Sequence, residues 1–409
     1  MLPTVAALVV DAFALSILPP DALWRPLLWI AAALALLWVG IQPAGDDRDD
    51  LLPALAVLVA GVGLMEVTRL SGELGRRQEI GMVVSLALLV LLRPLLEGYR
   101  RWARVKYLWM LLSVALFAIV AVAGTEVNGA KLWLRFAGVS FQPVELIKLF
   151  LVFFLAAYLA EKGEVIAQSA PWKPRENLRY LGPLVLGWGS AMAILVLQHD
   201  VGMAVLFLGA FVTMTYAATR RLDIVFSSIA AFAAAAIVAA RYFAYVRVRV
   251  DVWLHPFADP LGSGYQALMG LFSLAAGGLF GTGLRLGHPA IPDVATDYIY
   301  AAWSEETGLL GAVILLALYA VLFARAFGVA RRRPDLYSKL LVVGLASMLG
   351  LQIFVIVGGV LRVLPLTGIT LPFISYGGSS LVANFLLVDL VWIASGLGVR
   401  LRGAAGIRS

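Results

Sequence analysis

The stretch IYAAWSEETGLLGAVILLALYAVLFAR, residues 299–325, decides what kind of protein this is. Beyond Glu306 it carries no charge until Arg325, and Asp297, Glu305 and Glu306 stand at its mouth. Such a run approaches the roughly 20 apolar residues that a helix needs to cross a bilayer, and it lacks the brevity and alternation of a barrel strand. The rest of the 409-residue chain repeats the pattern: 62% of residues are hydrophobic, 14% are charged, and the mean hydropathy is +0.92. Too few charges remain to cover a soluble globule of this length. Candidate helices cover 3–18, 26–42, 51–70, 79–97, 106–124, 143–160, 181–197, 201–218, 223–240, 299–325, 338–360 and 377–398. The expected fold class is all-α, a polytopic integral membrane helical bundle of about twelve spans.

The first run has neither a basic leader nor a small-residue cleavage site, so it reads as a retained helix. There is no cysteine, which excludes disulfides and thiolate metal sites. In a membrane protein a net charge of +7 reports orientation before it reports a nucleic-acid partner, and none is expected. Lys and Arg concentrate in the connections 97–106, 161–180, 219–223 and 325–339 and in the tail RLRGAAGIRS. Because these alternate along the chain, they are expected to face the cytoplasm, with both termini inside and the intervening loops outside. No inverted repeat is visible, which argues against a transporter. The outer loop 241–296 is too long for a simple connector, and its apolar piece ALMGLFSLAAGGLF, 267–280, is too short to span. It reads as a re-entrant or interfacial segment.

Four polar constellations stand out. Glu145 and Lys148 lie three residues apart on one helical face, as either a neutralised pair pinning a helix or a pocket for a charged substrate. Gln198, His199 and Asp200 form a tight outer turn in which Asp200 either caps the next helix or meets substrate. Lys131, Trp133 and Arg135, with Arg247 and Arg249, are outward basic residues suited either to an anionic lipid headgroup or pyrophosphate, or to an interfacial belt. Asp297 and Thr296 lead into Glu305 and Glu306; downstream, Ser375, Tyr376, Gly377, Gly378, Ser379 and Ser380 offer hydroxyls and an open backbone near a helix start. Capping by those serines is the alternative. One histidine beside one carboxylate is not a metal-ligand set, so no metal site is assigned, although Asp200 or Glu145 would be the ligand if a divalent cation such as Mg or Mn took part.

The blocks NGAKLWLRFAGVSFQPVELIKL, QHDVGMA, WLHPFADPLGSGYQ, ATDYIYAAWSEETGLLGA and LPLTGITLPFISYGGSSL, in this order and spacing, resemble the RodA/FtsW/SpoVE family, the SEDS proteins of cell-wall synthesis. The resemblance covers about residue 51 to the end. It implies a ten-helix glycosyltransferase membrane domain over 46–409, with residues 1–45 as an added pair of helices. It implies peptidoglycan polymerisation from lipid II at the outer face of the bacterial cytoplasmic membrane, with a class B penicillin-binding protein and membrane lipids as partners. On this sequence the family's essential aspartate falls on Asp297, where it would act as general base in an inverting transfer. The family's other functional positions fall on Trp133, Glu145, Lys148, Gln198, Asp200 and Arg249, and cations from Lys131, Lys148 and Arg249 would offset the leaving pyrophosphate. Glu305 and Glu306 are expected chiefly to serve structure, with Glu306 the better candidate of the pair for cavity contact. His199 replaces the usual proline, Ala295 the usual histidine, and Thr307 the usual leucine of the Glu-Glu block. Two other readings are a lipid II flippase and a non-catalytic scaffold for the transpeptidase. Of the two cellular roles, elongation is expected over division.

Overall fold

In hydrocarbon every backbone N–H and C=O must find its partner within the protein, and a helix does this locally. The computed structural model follows that rule over residues 25–40, 48–127, 130–136, 139–169 and 174–396, with positions 3 and 6, which are the residues described. The expected helix over 3–18 and the basic tail lie outside them. The helices are α1 (Arg25–Gly40), α2 (Leu51–Leu70), α3 (Gly72–Glu97), α4 (Lys106–Ala123), α5 (Val144–Gln168), α6 (Pro174–Leu197) and α7 (Val201–Thr219). They continue as α8 (Leu222–Tyr242), α9 (Ala244–Leu254), α10 (Tyr265–Gly277), α11 (Ile299–Arg332), α12 (Leu336–Val360) and α13 (Gly378–Gly396). Among the described residues nine helical stretches are long and apolar enough to cross a membrane. The 25-residue α5 adds a long helix whose apolar run is interrupted by Glu145 and Lys148. This is an all-helical membrane bundle, as the composition requires.

At the centre lies α12, buried over most of its length and packed against α5, α7, α11 and α13. Next to it α13 lies along α3, while α8 touches little besides α7 and α9 and keeps Phe226, Ile229 and Ile237 exposed, as a lipid-facing helix would. One element was not among the expected helices. Strands β1 (Thr125–Val127), β2 (Ala130–Phe136) and β3 (Val139–Phe141) form a three-stranded antiparallel sheet in the order β1-β2-β3. The alternation of Lys131, Trp133 and Arg135 with Leu132, Leu134 and Phe136 is the period-two pattern of a strand, in a stretch expected only to be a loop.

A second difference lies in the run expected to be one helix from 299 to 325. Gly308 breaks it with φ +68, a left-handed conformation that only glycine holds without strain. The break leaves carbonyls and amides unpaired within the helix, and the segment after α10 takes them up. Thr282 N donates to Glu305 O at 2.9 Å and Gly283 N to Glu306 O at 3.0 Å, while Leu309 N donates to Gly278 O at 2.9 Å. The α10 segment, 13 residues long, is therefore stitched into the bundle and does not dangle from it.

Candidate active site

Two irregular segments meet at the end of the bundle opposite the basic connections. Residues 361–377, between α12 and α13, have few helical hydrogen bonds of their own, so side chains from neighbouring helices supply them. Gln352 Nε2 donates to Thr370 O at 2.9 Å; Gln78 Nε2 donates to Ser375 O, and Gly377 N to Gln78 Oε1, both at 3.1 Å. Tyr319 donates its hydroxyl to Pro372 O. This turn is sewn to the one bearing Asp297: Tyr376 N donates to Ala295 O at 2.8 Å and Ser375 Oγ to Thr296 O at 2.5 Å. Blocks about 80 residues apart in sequence thus become one rigid floor.

Above that floor opens a cavity of about 430 Å³, lined by β2, the Gln198–Asp200 turn, α9, the Asp297 turn and the start of α13. It brings together Trp133, Glu145, Asp200, Arg249, Thr296, Asp297, Tyr376, Gly377, Gly378, Ser379 and Ser380, joined by Arg135 and Thr370. A second, smaller chamber of about 180 Å³ adjoins it and shares Arg249, Asp297 and Gly368. Arg249 is held in place by Nη1 donating to Thr367 O at 2.9 Å. Burial pushes the Asp297 carboxyl up to about 6, against the Thr296 hydroxyl and the Arg249 charge, with Asp293 adding to the rise. Asp200 also rises to about 6, chiefly through burial, against its bond from Met203 N and the Arg249 charge. A half-buried carboxylate poised near neutrality beside a fixed guanidinium is equipped to take a proton from a bound hydroxyl.

Several residues expected in this site stand elsewhere. Lys148 is 0% exposed and lies beneath the cavity, with Nζ 2.6 Å from Glu145 Oε2, 3.1 Å from Gln352 Oε1 and 3.0 Å from Asn384 Oδ1. Its charge is consumed in tying α5, α12 and α13 together, so it is not a cation facing substrate. Lys131 Nζ donates to Ala121 O at 2.8 Å and Val122 O at 3.2 Å, neutralising the carbonyl end of α4. Arg247 does the same for α8 through Ala240 O and Arg241 O. Of these outward cations, only Arg249 and Arg135 line the cavity. Ser375 is buried and spends its hydroxyl on Leu371 N and Thr296 O, a fastening role. Gln198 is buried outside the cavity lining, while Asp200 Oδ1 accepts from Met203 N at 3.0 Å as the cap of α7 and still borders the cavity.

Glu306 is also a fastener. Its Oε1 accepts from Gly287 N at 3.2 Å and its Oε2 lies 3.2 Å from Arg69 Nε, while Glu305 Oε1 accepts from His288 N at 2.9 Å. Arg69 is further bound to Glu66 at 2.6 Å. This cluster and a second buried pair, Arg93 with Asp389 at 3.1 Å, escaped the sequence reading, which placed nearly every charged constellation on the outer side. The signal was available: Glu66 and Asp389 are lone acids in long apolar runs, and intramembrane charges have partners. Asp389 also accepts from Trp38 Nε1 of α1 at 2.7 Å.

No group of three or more His, Cys, Asp or Glu suited to a metal occurs among the described residues. Asp200 and Glu145, the two carboxylates considered for a divalent cation, are engaged with Met203 N and Lys148 respectively. They do not form a free donor set for a hard cation.

A family model for FtsW, RodA and SpoVE, described as "Cell cycle protein", matches residues 54–396. The chain is 39% identical over 375 residues to the "Peptidoglycan glycosyltransferase RodA" of Mycobacterium tuberculosis, covering 86% of this chain and 79% of that one. It is 34% identical over 299 residues to the "Stage V sporulation protein E" of Bacillus subtilis, covering 72% and 78%. Among solved structures, one titled "Structural coordination of polymerization and crosslinking by a peptidoglycan synthase complex" superposes with a TM-score of 0.71 at 31% identity, covering 85% of this chain and 98% of that one. The rod shape determining protein RodA of Thermus thermophilus superposes with a TM-score of 0.61 at 28% identity, covering 86% and 98%.

Proposed function

Since this chain belongs to the FtsW/RodA/SpoVE family and is a multi-pass membrane peptidoglycan glycosyltransferase, we propose that Asp297 is its general base and lipid II its substrate. One observation carries this reading: Asp297 is the carboxylate that borders both chambers, with Arg249 beside it. Two lipid-linked sugars must meet at one proton acceptor for a glycan to grow. The acceptor's N-acetylglucosamine 4-hydroxyl gives its proton to Asp297 as the oxygen attacks the anomeric carbon of the donor's N-acetylmuramic acid. Inversion takes the α-linked donor to a β product in a single displacement, so one carboxylate suffices.

The departing pyrophosphate gathers charge. Arg249 and Arg135, the hydroxyls of Ser379 and Ser380, and the amide end of α13 line the place where it would develop. In a cavity with restricted water these groups count for more than they would in bulk solvent. No step here runs through a divalent cation.

The alternation of basic connections supports a cavity on the outer face and termini in the cytoplasm. The structural relative solved as a synthase complex supports a class B penicillin-binding protein as partner. Helix α1 precedes the matched region and is anchored to the core by Trp38, which supports an added membrane segment ahead of the family domain. Polymerisation of lipid II by purified protein, with and without its co-purifying partner, tests the reading. Asp297→Asn is expected to stop glycan formation while the protein keeps its thermal midpoint; full activity in Asp297→Ala would overturn the assignment of the base. A scaffold would function without that carboxylate, and a flippase would not consume lipid II supplied in the outer leaflet.

A further inference from the structure

Asp297 and Arg249 are not at the end of a pocket; they stand at the junction of two. The partition includes Gly368, whose φ of +71 and missing side chain keep the junction open. A Cβ at that position would lie 3.5 Å from Asp297 Oδ2 and 3.8 Å from Arg249 Nη2. Both groups are therefore within reach of one another's ligands across a bare stretch of backbone.

The smaller chamber is a built site. Trp253 Nε1 donates to Arg362 O at 2.9 Å and Arg362 Nη2 donates back to Trp253 O, which locks α9 to the turn after α12. Gln266, in the first turn of α10, donates Nε2 to Pro292 O at 2.8 Å, so its carboxamide is held at the chamber wall. Leu364 and Leu366 complete a surface that joins an indole and aliphatic groups to a few fixed polar atoms. That mixture suits a sugar, whose ring has apolar faces and a polar rim.

We propose that this smaller chamber binds the terminal N-acetylglucosamine of the acceptor, while the larger cavity holds the donor. The assignment rests on the proposed role of Asp297 and divides its site in two. The larger cavity has the serine hydroxyls and helix start that suit a pyrophosphate gaining charge, as the donor's does. The acceptor's pyrophosphate undergoes no change, and its sugar needs only to be held with the 4-hydroxyl against Asp297. The bond from acceptor O4 to donor C1 forms as the C1–O bond breaks; its electron pair leaves on the pyrophosphate, and the hydroxyl proton passes to Asp297.

The test separates the two substrates. A lipid II analogue lacking the 4-hydroxyl of its N-acetylglucosamine can donate but cannot accept, so at saturating levels of it, intact lipid II acts as acceptor at early times. Gln266→Ala removes a wall contact, and Ala267→Leu narrows the same chamber; both sites are partly exposed. For each variant the acceptor KM is expected to rise about three- to tenfold while the donor KM stays within about twofold. A rise in donor KM alone, equal rises in both, or no change in either variant would overturn the assignment. Asp297→Asn is run in parallel: its inactivity alongside an unchanged acceptor KM in the chamber variants sinks only the chamber, whereas its activity sinks the assignment of the base.

Discussion

Two turns at the same end of the bundle each bring an aspartate to the cavity, and they employ it differently. In the turn of Gln198, His199 and Asp200, the central residue adopts φ +66, a left-handed conformation closed to a proline, and the aspartate starts α7. In the turn before α11, Asp297 makes no such cap; its side chain faces both chambers. Burial raises both carboxyls to about 6. The shift therefore marks enclosure, and placement separates the roles: Asp200 has one oxygen committed to the start of α7, whereas Asp297, beside the Thr296 hydroxyl, borders both chambers.

The sharpest way to break that contrast is to make the same substitution at both sites. Asp297→Asn is expected to cut the polymerisation rate by about 10²- to 10⁴-fold. Asp200→Asn retains a capping oxygen and is expected to lose less than about tenfold. Similar losses in steady-state assays on lipid II would erase the distinction. The next effect is on pH dependence. A general base must be unprotonated, so wild-type activity is expected to fall as pH drops through about 6. Arg249→Gln removes a charge that favours the carboxylate, so the residual activity of that variant is expected to have its acid limb at higher pH. An unmoved limb would mean that another group governs the profile. The smallest effect belongs to the cap: Asp200→Ala is expected to cost about 1 kcal/mol of stability in denaturant or thermal unfolding, and Asp297→Ala to show no comparable capping loss.

Much of this molecule is legible in its sequence. The long apolar runs mark the spans because the bilayer admits few alternatives, and Asp297, Trp133, Arg249 and Ser379 do line the cavity where their motifs place them. Other positions left two readings open for a common reason. Where a charge within a motif block could either face substrate or fasten the fold, the fastening reading prevails: Lys148 binds Gln352 and Asn384, Lys131 binds carbonyls of α4, and Glu306 holds Gly287 and Arg69. Each of these side chains satisfies a partner more than 200 residues away or a helix end, and local spacing records neither. The sheet at 125–141 was legible in its alternation, but the surrounding helical signal masked it.

By itself the sequence determined that this chain lives in a membrane as a helical bundle, because 62% hydrophobic residues leave no other solvent in which it can bury itself. It also determined which blocks carry the chemistry. Only the tertiary structure decided which polar residues in those blocks are free to act. In a low-dielectric interior each buried donor and acceptor must be paired, and the pairing is made between helices remote in sequence. Once Gln78, Gln352, Ser375 and Lys148 have satisfied one another's neighbours, Asp297 and Arg249 remain facing the open chambers.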